Sequence, residues 1–198
     1  MQKWPEYWPV NIGLSDAVGL PLVVSESGFG IYALDMMGQT IWNKCAAQAL
    51  YEKLADFDFD IILTAEAKAI GLAEELSGLC EHTEYVVLRK SAKLYMPNPV
   101  SVEVQSITTT EKQHFYLGQD KLALLKNRRA LIVDDVLSTG GTLKAMLEIA
   151  RQASCQIVAI AVVLTEEVAW QSFEDIPVIS LDHIPLPAYA QYADASTE

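Results

Sequence analysis

The stretch of sequence that decides the fold is Arg129-Ala-Leu-Ile-Val-Asp-Asp-Val-Leu-Ser-Thr-Gly-Gly-Thr142. Its apolar run, 130–133, predicts a buried strand that ends at two adjacent carboxylates, Asp134 and Asp135. A turn of small and hydroxyl-bearing residues follows, and then a helix-like run, 143–152. An α/β protein builds a site for a phosphorylated ligand at the end of its sheet from a strand, polar residues, a small-residue turn and a helix in this order.

The residue types in the turn suit a phosphate group. Ser138, Thr139 and Thr142 offer hydroxyl groups, while Gly140 and Gly141 permit positive φ and a close approach of the backbone. The backbone N–H groups and the start of the next helix attract anions. The two acids before the turn suit the vicinal hydroxyls of a ribose, or a Mg²⁺ ion held with them. The pattern predicts a ribose 5-phosphate site; the alternative is a strand and a capped helix with a structural role only.

Composition limits the class of protein and of partner. The 198 residues, 51% hydrophobic and 20% charged, predict one α/β domain, 1–198. The net charge of -12 argues against a nucleic-acid surface, which needs clustered Lys and Arg. Cys45, Cys80 and Cys155 show no metal-binding spacing, and no apolar run is long enough to span a membrane. We therefore expect free thiols and a cytoplasmic location, with no membrane or nucleic-acid partner.

Predicted strands and helices alternate along most of the chain. The predicted strands cover 20–25, 31–35, 59–64, 85–89, 130–133, 157–164 and 178–181, the predicted helices cover 40–56, 69–79, 143–152 and 166–174, and a hairpin joins 100–107 to 114–117 around Thr108-Thr109-Thr110. Gly28-Phe29-Gly30 lacks the third glycine of a dinucleotide site and is interpreted as a turn. An N-terminal arm, about 1–19, is too rich in Trp and Pro for a helix. The alternation predicts a doubly wound parallel sheet with ligands at the strand ends.

The segment Val133–Thr142 contains hydrophobic residues, two acids and then a serine, a threonine and two glycines. It resembles the 5-phosphoribosyl-1-pyrophosphate (PRPP) motif of type I phosphoribosyltransferases. The resemblance extends over about 30–185, to the adenine and xanthine branch. It implies the family's α/β fold with a flexible hairpin and a small hood. It also implies a Mg²⁺-dependent purine salvage enzyme, a homodimer, that makes a nucleoside 5'-monophosphate and pyrophosphate from PRPP and a free base. Asp134 and Asp135 would hold the ribose, and Ser138–Thr142 the 5-phosphate.

Two more loops resemble parts of that family. Thr64–Ala69 is similar to its pyrophosphate loop, which often carries a cis peptide, here expected between Ala67 and Lys68. Arg89-Lys90-Ser91-Ala92-Lys93 is similar to the R-K-x-x-K that ends the corresponding strand. The resemblance assigns the pyrophosphate to Ala67, Lys68, Arg89, Lys90 and Lys93, and counts Lys68 with the two acids as catalytic. The alternatives are an ordinary strand-to-helix turn and a solvated run of charge.

The segment 97–117 resembles the family's catalytic hairpin, with Val104-Gln105-Ser106-Ile107-Thr108 in place of a segment that carries aromatic residues. Such a loop would close over the reacting carbon and exclude water. The alternative is an exposed hairpin with a structural role only.

The accepted base is harder to predict. Hypoxanthine-guanine enzymes of the family carry an aspartate where this chain has Ser138, which argues against that branch. Xanthine enzymes carry a lysine near the position of Thr165-Glu166-Glu167; a carboxylate, from Glu166 first, suits the exocyclic amine of adenine. Val136 or Leu137 would form an apolar shelf for the ring. Another base, xanthine included, and a non-catalytic PRPP-sensing regulator stay as alternatives.

Overall fold

The computed structural model describes residues 4–24, 30–105 and 112–187 of the chain. In chain order its elements are β1 (Tyr7–Val10), β2 (Val18–Val24), β3 (Gly30–Tyr32), α1 (Thr40–Lys53), β4 (Ile61–Ala65), α2 (Ile70–Leu79), β5 (Val86–Leu88), β6 (Val100–Gln105), β7 (Lys112–Leu117), α3 (Gln119–Leu125), β8 (Arg129–Leu137), α4 (Gly141–Gln152), β9 (Gln156–Glu166), β10 (Ser172–Phe173) and β11 (Ile176–Ile184). Among the described helices, none has both the length and the apolar composition needed to cross a membrane.

The centre of the protein is a sheet of six strands in the order β10-β11-β9-β8-β4-β5. Every neighbouring pair is parallel except β10 with β11. Parallel strands need crossover connections, and α2 and α4 supply two of them. The predicted α/β, doubly wound parallel sheet is confirmed. The strand that carries the acid pair, β8, lies inside this sheet between β4 and β9.

Helices cover both faces of the sheet and bury it from two sides. Helices α1 and α2 pack on one face, while α4 packs on the other with the hairpin β6-β7. Ala130 and Ile132 belong to the core on the α4 side, and Leu131 and Val133 to the core on the α1 side. A strand buried on both faces needs a continuous apolar run, which explains why this stretch does not alternate with polar residues.

Within residues 4–24 and 30–36, the strands β1, β2 and β3 form a small separate sheet, in the place where the small hood was expected. The described part of the N-terminal arm, 4–19, contains no helix, as expected, but it includes a strand, β1, which pairs antiparallel with β2. Val10 and Leu20 are buried in the core on the α1 side. The Asn11 N–H donates to Asp182 Oδ2 at 2.7 Å, which links this small sheet to strand β11 of the central sheet.

The predicted helix 166–174 is wrong. Strand β9 continues to Glu166, and the chain then turns through Glu167, at φ 61°, into the short strand β10. A second turn, with φ 48° at Glu174 and 65° at Asp175, leads into β11. The sequence Glu166-Glu167 resembles a helix start, but Phe173 is 6% exposed and its burial against the core holds the segment in this turn.

Smaller differences concern element ends. Strand β8 extends to Leu137, so the two acids lie within the strand and not after it, and helix α4 begins two residues earlier than predicted, at Gly141. Helix α3 was not predicted. The hairpin strands were predicted in about the right place, but the tip at Thr108-Thr109-Thr110 and the turn residues Gly28-Phe29 lie outside the described residues.

Candidate functional site

A cavity of about 200 Å³ lies where β8 meets α4. It is lined by Val104, Gln113, Asp134, Val136, Leu137, Ser138, Thr139, Gly140, Gly141, Thr142 and Leu143. All five residues of the predicted phosphate loop therefore border one space. Helix α4 starts at Gly141, so the first backbone N–H groups of that helix, which lack partners within it, lie at this cavity. This arrangement suits an anion such as a phosphate group.

Gly140 fixes the shape of the loop. Its φ of 75° lies in the left-handed region that favours glycine. A Cβ atom at this position would also lie 2.5 Å from Phe173 Cζ. The ring of Phe173 therefore fills the place that a side chain at position 140 would need, and together with the positive φ this favours glycine here.

Asp134 is the acid of the pair that lines the cavity. Its Oδ1 accepts the backbone N–H of Asp135 at 3.0 Å. Burial raises the pKa of the Asp134 carboxyl well above its ordinary value, and the nearby charge of Asp135 raises it further. Burial and the neighbouring like charge therefore both disfavour the ionised form of Asp134.

Asp135 has a different partner, because successive residues of a strand point to opposite faces of the sheet. It is 9% exposed, and Lys68 Nζ lies 3.1 Å from its Oδ2. Lys68 also donates to the backbone oxygen of Leu34 at 3.2 Å. The three residues predicted to be catalytic therefore lie close together in the structure. Asp134 lines the cavity, and Asp135 forms an ion pair with Lys68.

The loop that contains Lys68 joins β4 to α2. Ala69, which is 1% exposed, precedes the first residue of α2, and Ala67 is exposed. The predicted cis peptide is present but one residue earlier, between Glu66 and Ala67. The expected position Ala67–Lys68 is therefore corrected to Glu66–Ala67.

The basic loop 89–93 lies beside the Lys68 loop, since β5 is the neighbour of β4. Arg89 Nε forms an ion pair with Glu66 Oε1, and the Lys90 N–H donates to Glu66 Oε2 at 2.8 Å. Lys93 Nζ donates to Ser91 Oγ at 2.7 Å. Sequence reasoning assigned no role to Glu66. Its position, an acid directly after a buried strand in a loop expected to bind an anion, was the available signal.

The hairpin reaches both the cavity and the basic loop. Val104 of β6 and Gln113 of β7 line the cavity. Arg89 forms two backbone hydrogen bonds with Tyr116 of β7, of 3.0 Å and 2.8 Å. The predicted hairpin therefore lies against two of the predicted anion loops, while Ser106–Thr108 of the predicted catalytic segment lie outside the described residues.

The residues predicted to face a base are less closely gathered. Val136 is partly buried and Leu137 is 1% exposed, and both line the cavity. Glu166, which is 8% exposed, ends the neighbouring strand β9 and is not one of the residues that line the cavity. Glu167 is exposed. The structure therefore separates the two glutamates, leaving Glu166 as the buried one.

The end of strand β8 also offers a few possible ligands for a cation. Within residues 4–24, 30–105 and 112–187, no three His, Cys, Asp or Glu side chains are grouped so that they could hold a metal ion. Asp134 and Asp135 offer two carboxylates. Mg²⁺ is commonly bound through one or two carboxylates together with substrate phosphates and water, so these residues fit a Mg²⁺ ion that arrives with a phosphorylated ligand.

Comparison with known proteins agrees with this geometry. A family model described as a phosphoribosyl transferase domain matches residues 40–189. The adenine phosphoribosyltransferase of Petrotoga mobilis is 30% identical over 141 residues, 70% of this chain and 78% of that protein. The hypoxanthine/guanine phosphoribosyltransferase of Methanothrix soehngenii is 34% identical over 112 residues, 57% of this chain and 55% of that protein. The match thus spans little more than half of the Methanothrix protein.

A solved structure shares the fold. The crystal structure of adenine phosphoribosyltransferase from Thermoanaerobacter pseudethanolicus has a TM-score of 0.69 to this chain at 19% sequence identity. The superposition covers 83% of this chain and 95% of the other. At this level of identity the likeness concerns the fold, which is the one that the sequence predicted.

Proposed function

Because the chain belongs to the phosphoribosyltransferase family, we propose that it transfers the phosphoribosyl group of PRPP to a purine base. The products would be a nucleoside 5'-monophosphate and pyrophosphate. The observation that carries the proposal is the cavity in which Ser138–Thr142, at the start of α4, lie together with Asp134. An anion site and a carboxylate in one small space are the two features that a ribose 5-phosphate needs.

In this proposal the loop 138–142 binds the 5-phosphate. Its hydroxyl groups and the N–H groups at the start of α4 donate to the phosphate oxygens. The overall charge of -12 does not oppose this, because these donors act over hydrogen-bond distances. Asp134 and Asp135 accept hydrogen bonds from the ribose hydroxyls, and Asp135 exchanges part of its contact with Lys68 for the ligand.

Cationic groups of the neighbouring loops bind the pyrophosphate. Lys68 and Arg89 each neutralise part of its charge, Lys90 and Lys93 add positive charge, and the backbone at Ala67 lines the loop. Mg²⁺, held by substrate oxygens near Asp134 and Asp135, would supply further positive charge for the departing pyrophosphate. The support for these assignments is that β4, β5 and β8 are adjacent strands whose ends carry all three loops.

The reaction needs no covalent intermediate with the protein. A ring nitrogen of the base forms a bond to C1 of the ribose, the C1–O bond to pyrophosphate breaks, and its electron pair stays on the pyrophosphate oxygen. The base gives up one proton. As the C1–O bond breaks, positive charge develops on the ribose, which the carboxylate of Asp134 stabilises, so catalysis is positioning and electrostatics. The hairpin β6-β7 would exclude water, which competes with the base for C1.

Adenine is the base that we propose first. Val136 and Leu137 offer an apolar surface, and Glu166 at the end of β9 accepts a hydrogen bond from an exocyclic amine. Hypoxanthine or guanine is the second candidate, because curated relatives of this chain carry the name hypoxanthine/guanine phosphoribosyltransferase. The serine at position 138 is therefore a weak argument against that branch. The homodimer implied by the family and the cytoplasmic location expected from the composition remain predictions.

The test is direct. The protein is incubated with PRPP, Mg²⁺ and, separately, adenine, hypoxanthine, guanine, xanthine, orotate or uracil, and the nucleotide and pyrophosphate are measured. Turnover is expected with a purine and not with orotate or uracil, and it should require Mg²⁺. If PRPP binds but no base is converted, the chain is a PRPP-sensing protein and the catalytic proposal is wrong.

A further inference from the structure

Glu66 joins two of the anion loops. One carboxylate oxygen forms the ion pair with Arg89 Nε, and the other accepts the backbone N–H of Lys90 at 2.8 Å. The backbone N–H of Glu66 donates to the oxygen of Leu88 at 2.9 Å, which continues the pairing of β4 with β5 beyond the strand ends. The Glu66 side chain is 20% exposed, so these contacts are largely shielded from water.

Arg89 is held on several sides. Besides the contact with Glu66, its Nη1 donates to the Tyr95 hydroxyl at 3.0 Å. Its backbone is fixed by the two hydrogen bonds with Tyr116. A guanidinium group is planar and its donors point in fixed directions, so fixing Nε determines where the remaining donors point. Glu66 therefore sets the orientation of Arg89 as well as the position of the Lys90 backbone.

We propose that Glu66 is a positioning residue, which holds Arg89 and Lys90 in the geometry that binds the pyrophosphate group of the substrate. The inference rests on the proposed function and adds the residue on which the pyrophosphate half of the site depends. Glu66 does not contact the pyrophosphate, because both are negatively charged. It acts through Arg89 and Lys90.

The sign of its effect distinguishes positioning from plain electrostatics. As a nearby negative charge alone, Glu66 would weaken the binding of pyrophosphate, and its removal would strengthen binding. As a positioning residue it strengthens binding, because a free Arg89 side chain must lose rotational freedom when it binds the ligand. Removing the charge of Glu66 while keeping the shape of its side chain therefore changes the affinity for pyrophosphate in opposite directions under the two mechanisms.

The variant to test is Glu66→Gln, which keeps the size of the side chain and an acceptor for the Lys90 N–H. We expect the Kd for Mg²⁺-pyrophosphate and the KM for PRPP to rise about tenfold, because the variant loses the ion pair that orients Arg89. The Kd for ribose 5-phosphate, which depends on the loop 138–142, should not change. The KM for the base should also stay the same.

A matched control is Asp58→Asn, which removes another carboxylate that pairs with an arginine, Arg129, at the opposite end of the sheet. It should leave all four constants unchanged, and thermal unfolding confirms that both variants are folded. An unchanged or higher affinity of Glu66→Gln for pyrophosphate overturns the inference, and so does an equal loss of affinity for ribose 5-phosphate. Wild-type protein that turns over no base overturns the proposed function instead, because the pyrophosphate measurement does not need turnover.

Discussion

The ring of Phe173 lies where a side chain at position 140 would have to be. Phe173 belongs to β10, in a segment that the sequence predicted to be a helix, and its ring fixes the shape of the phosphate loop. The contact joins β10, at the edge of the sheet, to the turn between β8 and α4. The two residues are far apart in sequence, and the loop's glycine is required for a tertiary reason as well as for its positive φ.

Gly140→Ala should therefore destabilise the protein and damage the site. The new methyl group meets the Phe173 ring and the residue keeps a left-handed backbone, which together cost about 3 kcal/mol. We expect a lower urea midpoint and a loss of ribose 5-phosphate binding by calorimetry. Gly141→Ala is the matched control, since a Cβ there meets nothing within 4 Å, and its stability should change by less than about 1 kcal/mol. Equal shifts of the urea midpoint in the two variants would mean that the Phe173 contact does not shape the loop.

Asp135 and Lys68 should behave as one unit. Asp135→Asn and Lys68→Met each remove one member of the ion pair, and each should lower kcat/KM for PRPP at least about tenfold, as for a lost charge-assisted contact. The Lys68 side chain is 47% exposed, so the coupling free energy for unfolding is expected to be only about 1 kcal/mol. Unfolding of the two single variants and the double variant measures it. Strictly additive effects would show that the pair does not act together.

The stability of the ligand-free protein should depend on Asp134 and on pH. The folded-state pKa of Asp134 is raised above its ordinary value of 3.8, so between these two values the folded protein binds more protons than the unfolded chain. Its contribution to stability is therefore lost as the pH rises through that window. Asp134→Asn, which cannot ionise, should be more stable than the wild type at pH 8.

The same comparison at low pH supplies the control. Near pH 3 the carboxyl is protonated in both states, so the advantage of Asp134→Asn in melting temperature should shrink towards zero. Thermal unfolding at several pH values from 3 to 8 measures the trend. A difference between the two proteins that stays constant over this range would contradict the raised pKa.

Glu166 should influence the choice of base and Glu167 should not. Glu166→Gln replaces an acceptor by a group that also donates, so kcat/KM for adenine should fall about tenfold relative to hypoxanthine, the effect of one mispaired hydrogen bond. Glu167→Gln is the control, because Glu167 is exposed and lies in the turn after β9. Both variants are assayed with both bases. If neither changes the ratio, the base is recognised elsewhere.

Much of the fold could be predicted because the relevant interactions are local. The apolar run 130–133 can be buried on both faces only as a central strand, and the glycines and hydroxyls after it have few uses other than an anion loop. The alternation of strands and helices could also be predicted, because it depends on local sequence patterns. The segment 166–174 could not be predicted in this way, because its conformation depends on the burial of Phe173 against residues distant in sequence.

The sequence by itself determined the order of most strands and helices, except β1, α3 and the segment 166–174. It also determined the phosphate loop 138–142 and the acid pair, since these depend on neighbouring residues. Only the tertiary structure decided the partners of each charge. Asp134 lines the cavity, and Asp135 forms an ion pair with Lys68. Glu66 connects the loop after β4 to the loop after β5 through its ion pair with Arg89. The physical reason is that an ion pair forms between side chains that the sheet brings side by side, and sequence separation carries no information about that distance.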